Sequence, residues 1–204
     1  IRRPPRSTLS SSSAASDVYK RQEYTLVIGA SEVEARYEYH TVPKLDPSAY
    51  LMALVADWNK YDLVSGTANI YYEGMFVGET YINASSTIDT MQISLGRDKG
   101  IMVERRQMKE FSSDRLIGSN RTVELGFENI IRNGKNREIM IVAEDQYPVS
   151  TLKDIQVSPR DHGNGNLNKV TGKVTWKVPL QPGETVKLPL KYSVRYPSDM
   201  QINL

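Results

Sequence analysis

The sequence contains no cysteine among its 204 residues. Without thiols the protein has no disulfides, zinc–thiolate sites, iron–sulfur clusters or thiol nucleophiles. Histidine is scarce too: the chain has 2, His40 and His162, and no Gly-x-Ser-x-Gly motif places a serine at a nucleophile turn. Asp161 and His162 lack a third metal ligand at a suitable spacing. We therefore predict no catalytic residues, no metal site and no cofactor, and we expect that the protein is not an enzyme.

Long apolar runs are also missing. The longest, residues 50–56 (YLMALVA), has the length of a β-strand, whereas a membrane-spanning helix needs ~20 apolar residues. We therefore expect no membrane insertion by this fragment. Apolar residues make up 39% of the chain, and 12 residues are tyrosine. This composition is typical of thin sheets whose side chains keep a polar end near water.

Residues 1–22 have neither a strand nor a helix period, and they contain a serine tract and clustered arginines. Such a segment buries too little apolar area to become ordered, so we predict a disordered tail. It resembles translated sequencing-adapter read-through and is excluded from the fold as non-native; a basic nucleic-acid-binding arm is the alternative. The tail carries a net charge of +4, so the formal +2 of the whole chain becomes −2 for residues 23–204. Those residues therefore predict no nucleic-acid partner.

Alternation of polar and apolar residues dominates the rest of the chain and predicts an all-β fold. The pattern predicts three hairpins, whose turns are Glu73-Gly74, the 96–100 loop and Asn133-Gly134. We also predict a tight turn at 180–184 between the last two strands, because this segment has proline and glycine in turn positions.

The alternating pattern is interrupted between residues 112 and 120. We predict two sandwich-like subdomains with their boundary in this segment. The first covers residues 23–115 and is rich in β-strands. The second covers residues 120–199, and its short strands around Trp176 predict an immunoglobulin-like β-sandwich.

The loop 96–100 (GRDKG) is the cluster best suited to binding. At a loop tip, Arg97 and Lys99 can hold a carboxylate or a sulfated sugar, with Asp98 as a base. The alternative is a plain turn in which Asp98 bonds backbone amides and the basic residues are solvated. Tyr72 is a further binding candidate because aromatic residues crowd the first predicted hairpin, where they either stack on sugar rings or pair across strands.

Glycoside hydrolysis needs two acids about 5–9 Å apart across a cleft. Aspartates are available at strand ends, but no spacing selects a pair among them: Asp57, Asp89, Asp98 and Asp145. The segment 145–150 (DQYPVS) ends a strand at Pro148, which cannot donate a ladder hydrogen bond. We predict that it either packs at the seam between the subdomains or lines a groove there.

Several segments together carry a resemblance to a known family: YHTVPKLDPSAYL (39–51), ANIYYEG (68–74) with VG (77–78), SLGRD (94–98), FS (111–112) and DQYPVS (145–150). They resemble the C-terminal domain of unknown function of mucoidy-inhibitor-A-like bacterial proteins, over about residues 37–199. The resemblance implies a protein exported to the periplasm or cell envelope, with an N-terminal β domain and a coiled coil that this fragment lacks. It implies no agreed activity and no catalytic residues.

We therefore expect a non-enzymatic structural or binding module of a bacterial cell-envelope protein, whose partner is an unknown protein or glycan of the envelope. The alternative is a carbohydrate-active hydrolase with unrecognised carboxylates. A homo-oligomer formed through the missing coiled coil also stays open.

Overall fold

The structure, a computed structural model, describes residues 32–61, 63–83 and 89–202. The predicted non-native tail, residues 1–22, lies outside the described residues. Residues 33–204 belong to one compact unit. Its described part is built almost entirely of strands, which confirms the all-β prediction. Within that part the helical turns are two short 3-10 helices, Trp58–Tyr61 and Lys109–Phe111.

The strands follow the predicted period-2 alternation. In β2, for example, Ala49, Leu51, Ala53 and Val55 are buried, and the residues between them are less so, because successive side chains of a strand point to opposite faces. The strands of the described residues are β1 (Arg36–Val42), β2 (Asp46–Ala56), β3 (Gly66–Tyr72), β4 (Met75–Ile82), β5 (Thr90–Arg97), β6 (Ile101–Gln107), β7 (Ser113–Ile117), β8 (Asn120–Asn133), β9 (Ile139–Gln146), β10 (Gln156–Asp161), β11 (Asn166–Leu167), β12 (Lys173–Leu180) and β13 (Thr185–Pro197).

One sheet has six strands in the order β11-β12-β9-β1-β2-β5. Its centre is the pairing of β1 with β9, in which Tyr39 lies beside Ile141 and Thr41 beside Ala143. This pairing is parallel, whereas the other strand pairs of the described residues are antiparallel. β1 therefore joins the β2–β5 half of the sheet to the β9–β12–β11 half.

The other large sheet has five strands and is organised by β8, which has 14 residues. β13 pairs along almost the whole of β8, and β10 pairs with the far edge of β13. β6 and β7 share the remaining edge of β8, with β6 beside its C-terminal half and β7 beside its N-terminal half. β3 and β4 form a separate two-stranded sheet.

The two large sheets pack on each other and enclose a common hydrophobic core. Burying one large apolar side chain in such a core stabilises the fold by about 1.5–3 kcal/mol. Core side chains come from both sheets: Tyr39, Leu51, Ile141 and Trp176 from the six-stranded sheet, and Ile131, Leu190, Tyr192 and Val194 from the five-stranded sheet. The arrangement is a β-sandwich, as predicted.

One predicted hairpin is confirmed and two are wrong. β3 and β4 pair antiparallel around Glu73-Gly74. By contrast, β5 and β6 lie in different sheets, and so do β8 and β9. The predicted turn at 180–184 is present, since Glu184 N donates to Gln181 O at 3.1 Å, but it too joins strands of different sheets. Alternation identifies strands, but it does not show whether a connection turns within a sheet or crosses to the other one.

The two predicted subdomains do not occupy separate sheets. Residues 120–199 supply β9, β11 and β12 to one sheet and β8, β10 and β13 to the other, which is itself a sandwich. The described part of residues 23–115 adds β1, β2 and β5 to the first sheet and β6 to the second, so it extends that sandwich. The sequence pattern does not show this because the pairing of β1 with β9 spans distant parts of the chain.

Candidate functional site

The connections β5–β6, β8–β9 and β12–β13 cross between the sheets and are bonded to one another. Gly134 N, in the β8–β9 connection, donates to Gly100 O of the β5–β6 connection at 2.9 Å. Asn133 lies at the centre of this end of the sandwich and has no exposed surface. Its Nδ2 donates to three backbone carbonyls at 2.9–3.1 Å: those of Arg137, Leu180 and Gln181. Asn133 therefore fixes the frame on which the 96–100 loop is held.

Asp98 is bound from three directions at this end of the sandwich. Gly100 N donates to Asp98 Oδ1 at 2.8 Å, which is the Asx turn expected as the alternative to a binding role. Lys135 Nζ donates to Asp98 Oδ2 at 2.6 Å, and the Tyr39 hydroxyl donates to the same oxygen at 3.0 Å. Asp98 therefore holds together the loop, the β8–β9 connection and strand β1.

These bonds decide the charge of Asp98. Burial alone would raise the pKa of Asp98, but the hydrogen bonds from Lys135, Gly100 and Tyr39 outweigh it and hold the pKa below its ordinary value. The bond to Asp98 likewise raises the pKa of Lys135. A carboxylate with a lowered pKa is a weak base at neutral pH. The geometry thus favours Asp98 as a structural anion over the predicted base.

The four predicted binding residues, Arg97, Asp98, Lys99 and Tyr72, line one pocket of about 360 Å³. A neighbouring pocket of about 440 Å³ shares Leu51 and Tyr72 with it. We call the two pockets together the Tyr72 trough. Beside these residues, the trough is lined by Tyr37, Tyr39, Arg137, Glu138, Ile139 and Met140 in the larger pocket and by Glu73, Met75, Val77, Leu95 and Gly96 in the smaller one.

Tyr72 lines both halves of the trough. It is half-buried and packs against the edge of the hydrophobic core. Burial raises the pKa of Tyr72, and the negative charge of Glu73 adds to the effect. The side chain therefore keeps its hydroxyl proton well above neutral pH and presents a neutral ring to both pockets.

Cations of two kinds border the trough. Lys135 is bound to Asp98. Arg97, Lys99 and Arg137 are exposed, and none of the ion pairs found among the described residues includes them. Free basic side chains beside a tyrosine ring can donate to the anionic or carbonyl oxygens of a ligand.

The β3–β4 hairpin shows a second exposed aromatic surface. Tyr71 and Phe76 are opposite each other, with ring centroids 5.6 Å apart in an edge-to-face arrangement. This is the cross-strand pairing expected as one of two alternatives. Both rings nevertheless point outward, with 64% of Tyr71 and 56% of Phe76 exposed, as does Tyr81.

Asp145, an aspartate considered for catalysis, lies inside the sandwich with no side-chain exposure. Arg105 Nε donates to its Oδ2 at 2.9 Å, and Asn129 Nδ2 donates to the same oxygen at 3.0 Å. The guanidinium of Arg105 also lies over the Phe127 ring, 3.7 Å from its centroid. The cluster joins β9 to β6 and β8, so it ties the two sheets together.

The 145–150 segment both packs and lines a groove. Tyr147 is buried, and its hydroxyl donates to Asp161 O at 3.0 Å. Burial raises the pKa of Tyr147 to about 12. The residues after Tyr147 line a pocket of about 340 Å³ beside β10 and β11, together with Ile155 and Leu167. Ser150 and Lys169 add polar groups to its lining, and none of the predicted binding residues contributes to it.

The histidines occupy separate places. His40 Nε2 lies 2.8 Å from Glu38 Oε1, and the backbone carbonyl of His162 accepts a hydrogen bond from Trp176 Nε1 at 2.8 Å. Asp161 forms an ion pair with Lys191 at 3.2 Å. Among the described residues, no group of three or more histidines and acids is arranged to hold a metal ion. No helix in the described part of the chain has the length and apolarity to cross a membrane.

Several residues of the trough were missed by reasoning from the sequence. Arg137, and Lys135, which binds Asp98 at the edge of the trough, follow Asn133-Gly134. The sequence predicts a tight hairpin turn there and gives no reason to place these residues beside the 96–100 loop. Tyr37 and Tyr39 belong to the alternating β1 segment, and Tyr39 was one of several tyrosines with no distinguishing signal. The long-range pairing of β1 with β9 brings both tyrosines close to residues 137–140 of the same pocket.

Fold and trough together define a two-sheet β-sandwich module with a mixed aromatic and charged trough at the end where its sheets are joined. The chain belongs to the family described as "Domain of unknown function (DUF4139)", which it matches over residues 6–198. That range includes part of the predicted tail, which the structure does not describe.

A curated relative from an animal also matches. Protein F37C4.5 of Caenorhabditis elegans is 23% identical over 199 residues, which cover 90% of this chain and 35% of the relative. The chain thus spans about a third of the length of that relative. No solved structure matches the chain.

Proposed function

We propose that this chain is a non-enzymatic binding module of an exported envelope protein similar to mucoidy inhibitor A, and that it holds a glycan chain in the Tyr72 trough. The observation that carries the proposal is the gathering of Tyr72, Arg97 and Lys99 around one pocket. Ligand pockets commonly measure about 300–1,000 Å³ and combine apolar walls with a few polar groups, and both halves of the trough fall in that range.

The state of the acids favours binding over hydrolysis. A glycosidase acid must keep its proton near neutral pH, which requires a raised pKa. The described carboxylates with a shifted pKa are shifted the other way, and each is held by hydrogen-bond donors: Glu38, Asp46, Asp98, Asp114 and Asp161. Acids held as anions in this way suit a structural role.

The bacterial envelope is proposed from the segments that resemble mucoidy-inhibitor-A-like proteins. The similarity to an animal protein does not itself support a bacterial source. The upstream reading frame tests this part: a signal peptide followed by heptads supports an exported envelope protein, and a cytosolic start contradicts it.

Affinity electrophoresis against a panel of bacterial exopolysaccharides tests the binding role. We expect at least one polysaccharide to retard the chain, and Tyr72→Ala to abolish the retardation, because Tyr72 contributes to both halves of the trough. Tyr71→Ala is the matched control, since Tyr71 lies on the opposite face of the same strand.

The same incubations distinguish binding from hydrolysis. We expect no release of reducing ends. Release that disappears in Asp98→Asn would support a carbohydrate-active hydrolase instead. If no polysaccharide retards the chain, the proposed glycan binding is contradicted and a protein partner is favoured.

A further inference from the structure

Each half of the trough contains an arginine, a glutamate and a tyrosine ring. In the larger half, Arg137 and Glu138 accompany Tyr37. In the smaller half, Arg97 and Glu73 stand beside Tyr72. Each half thus offers a guanidinium, a carboxylate and an aromatic ring, and Tyr72 is common to both. Two similar sets of groups that share one tyrosine ring fit a ligand that is itself a repeat.

The chemistry of that repeat follows from the three kinds of group. A guanidinium outside the ion pairs of the described residues binds a carboxylate through two parallel N–H donors. Carboxylates such as Glu73 and Glu138 accept hydrogen bonds from hydroxyl groups. Aromatic faces contact the apolar C–H side of a sugar ring. One ligand unit that satisfies all three is a sugar ring bearing both hydroxyls and a carboxylate.

We propose that the Tyr72 trough binds an acidic oligosaccharide, a chain of at least two uronic acid rings with one ring on each side of Tyr72. This proposal rests on the proposed glycan-binding function and narrows it. An acidic peptide fits less well, because it brings negative charge to Glu73 and Glu138 without a hydroxyl for them to accept from.

Isothermal titration with defined oligosaccharides tests the proposal. The probes are galacturonic acid, its trimer, a neutral glucose trimer and a short poly-glutamate peptide. We expect the acidic trimer to bind at least about 100-fold more tightly than the single sugar, since it reaches both halves. We expect the neutral trimer to bind at least about tenfold more weakly than the acidic one, since it lacks the carboxylates that the guanidinium groups bind.

Charge-removing variants locate the contacts. Arg97→Gln and Arg137→Gln are each expected to weaken binding of the acidic trimer about tenfold, and to leave the neutral trimer unaffected. Arg115→Gln removes the same charge from an exposed position on β7, away from the trough, and is expected to change nothing. Raising the salt concentration from about 0.05 M to about 0.5 M should reduce the difference in affinity between the acidic and neutral trimers, because salt screens the charge interactions.

The outcomes separate this proposal from the broader one. Equal binding of the acidic and neutral trimers, abolished by Tyr72→Ala, overturns the uronic acid assignment and leaves a glycan-binding module. Tighter binding of poly-glutamate than of the acidic trimer overturns it in favour of an acidic protein partner. Failure of every oligosaccharide and of the polysaccharide panel overturns the proposed function itself. Thermal unfolding of each variant shows whether a lost signal comes from a lost fold.

Discussion

Asp145 and Asp98 each bind a basic side chain that lies near an aromatic ring, one inside the sandwich and the other at its end. Asp145 has no exposed side-chain surface, and its partner Arg105 is 18% exposed. Asp98 and Lys135 are 20% and 25% exposed. Arg105 lies 3.7 Å from the Phe127 centroid, whereas Lys135 lies 5.9 Å from the Tyr39 centroid.

The two ion pairs differ in exposure, and this difference gives them different roles. A charge that is removed from water depends fully on its partner, so breaking the inner pair leaves an uncompensated buried ion. The outer pair retains contact with water and is screened. The inner cluster therefore holds the sheets together, and the outer cluster positions a loop while leaving neighbouring cations free for a ligand.

The largest effect is expected from Asp145→Ala. Removing the carboxylate leaves the largely buried Arg105 without its anion, and we expect a loss of about 3–5 kcal/mol in the free energy of unfolding. Urea unfolding followed by tryptophan fluorescence measures it. Replacing both partners, as Asp145→Ala with Arg105→Met, should recover part of the loss, because no buried ion is left behind, whereas Asn129 Nδ2 still lacks its acceptor. If Asp98→Ala costs as much as Asp145→Ala, the distinction between the clusters does not hold.

Asn133→Ala is expected to come next, at about 2–3 kcal/mol, because it leaves buried carbonyls without their donor. The variant tests whether the Asn133 hydrogen bonds stabilise the fold as strongly as a buried polar group is expected to. Asn136→Ala, an exposed asparagine in the same connection, is the matched control and should stay within about 0.5 kcal/mol of the parent. Urea unfolding gives the energies. An equal loss of unfolding free energy in the two variants would show that the Asn133 hydrogen bonds do not stabilise this end of the sandwich.

A smaller effect, about 1 kcal/mol at neutral pH, is expected from Lys135→Met, since the pair it breaks is partly solvated. The pH dependence identifies the pair. The lowered pKa of Asp98 means that its stabilising contribution is complete above the unfolded-state pKa and is lost as the pH falls through the folded-state pKa.

Urea unfolding across acid and neutral pH checks this sign. The difference in unfolding free energy between the parent and Lys135→Met should decrease as the pH is lowered. Lys99→Met, which removes the same charge from the same loop without breaking the pair, should parallel the parent. An advantage that grows toward acid pH would contradict the assignment.

The smallest change is expected from Tyr71→Ala in the β3–β4 hairpin. An edge-to-face pair contributes about 0.5–1.5 kcal/mol, and the exposure of both rings places this one at the lower end. Hydrogen exchange of the hairpin amides should accelerate while the exchange of β8 and β13 stays unchanged. A loss of about 2 kcal/mol or more in global stability would instead make the hairpin part of the core.

What the sequence could predict depended on the range of the interaction. The β3–β4 hairpin is predicted correctly because its turn is local: Gly74 has a φ of 78°, and a glycine, which tolerates positive φ, marks such a turn. Glu73 also has a positive φ, 49°, and carries no such signal. Asn133-Gly134 carries the stronger local signal, but Asn133 is buried and its side chain donates to three backbone carbonyls. There the tertiary contacts override the turn preference.

The candidate site shows the same limit. Arg97, Asp98 and Lys99 adjoin in sequence, so their common location was predictable, and Tyr72 was selected from an aromatic-rich hairpin. Arg137 and Tyr37 complete the larger pocket, and their proximity depends on β1 lying beside β9. A parallel pairing between distant segments has no local signature, since no turn residues mark it.

The pairing of β1 with β9 also sets an order for synthesis. Tyr39 leaves the ribosome roughly a hundred residues before its neighbour Ile141, and contacts so distant in sequence form slowly. Until β9 emerges, the edge of β1 that faces it has no strand to pair with. A nascent chain that stalls in this interval carries an open strand edge, and cells that produce the domain must keep that edge from joining another chain.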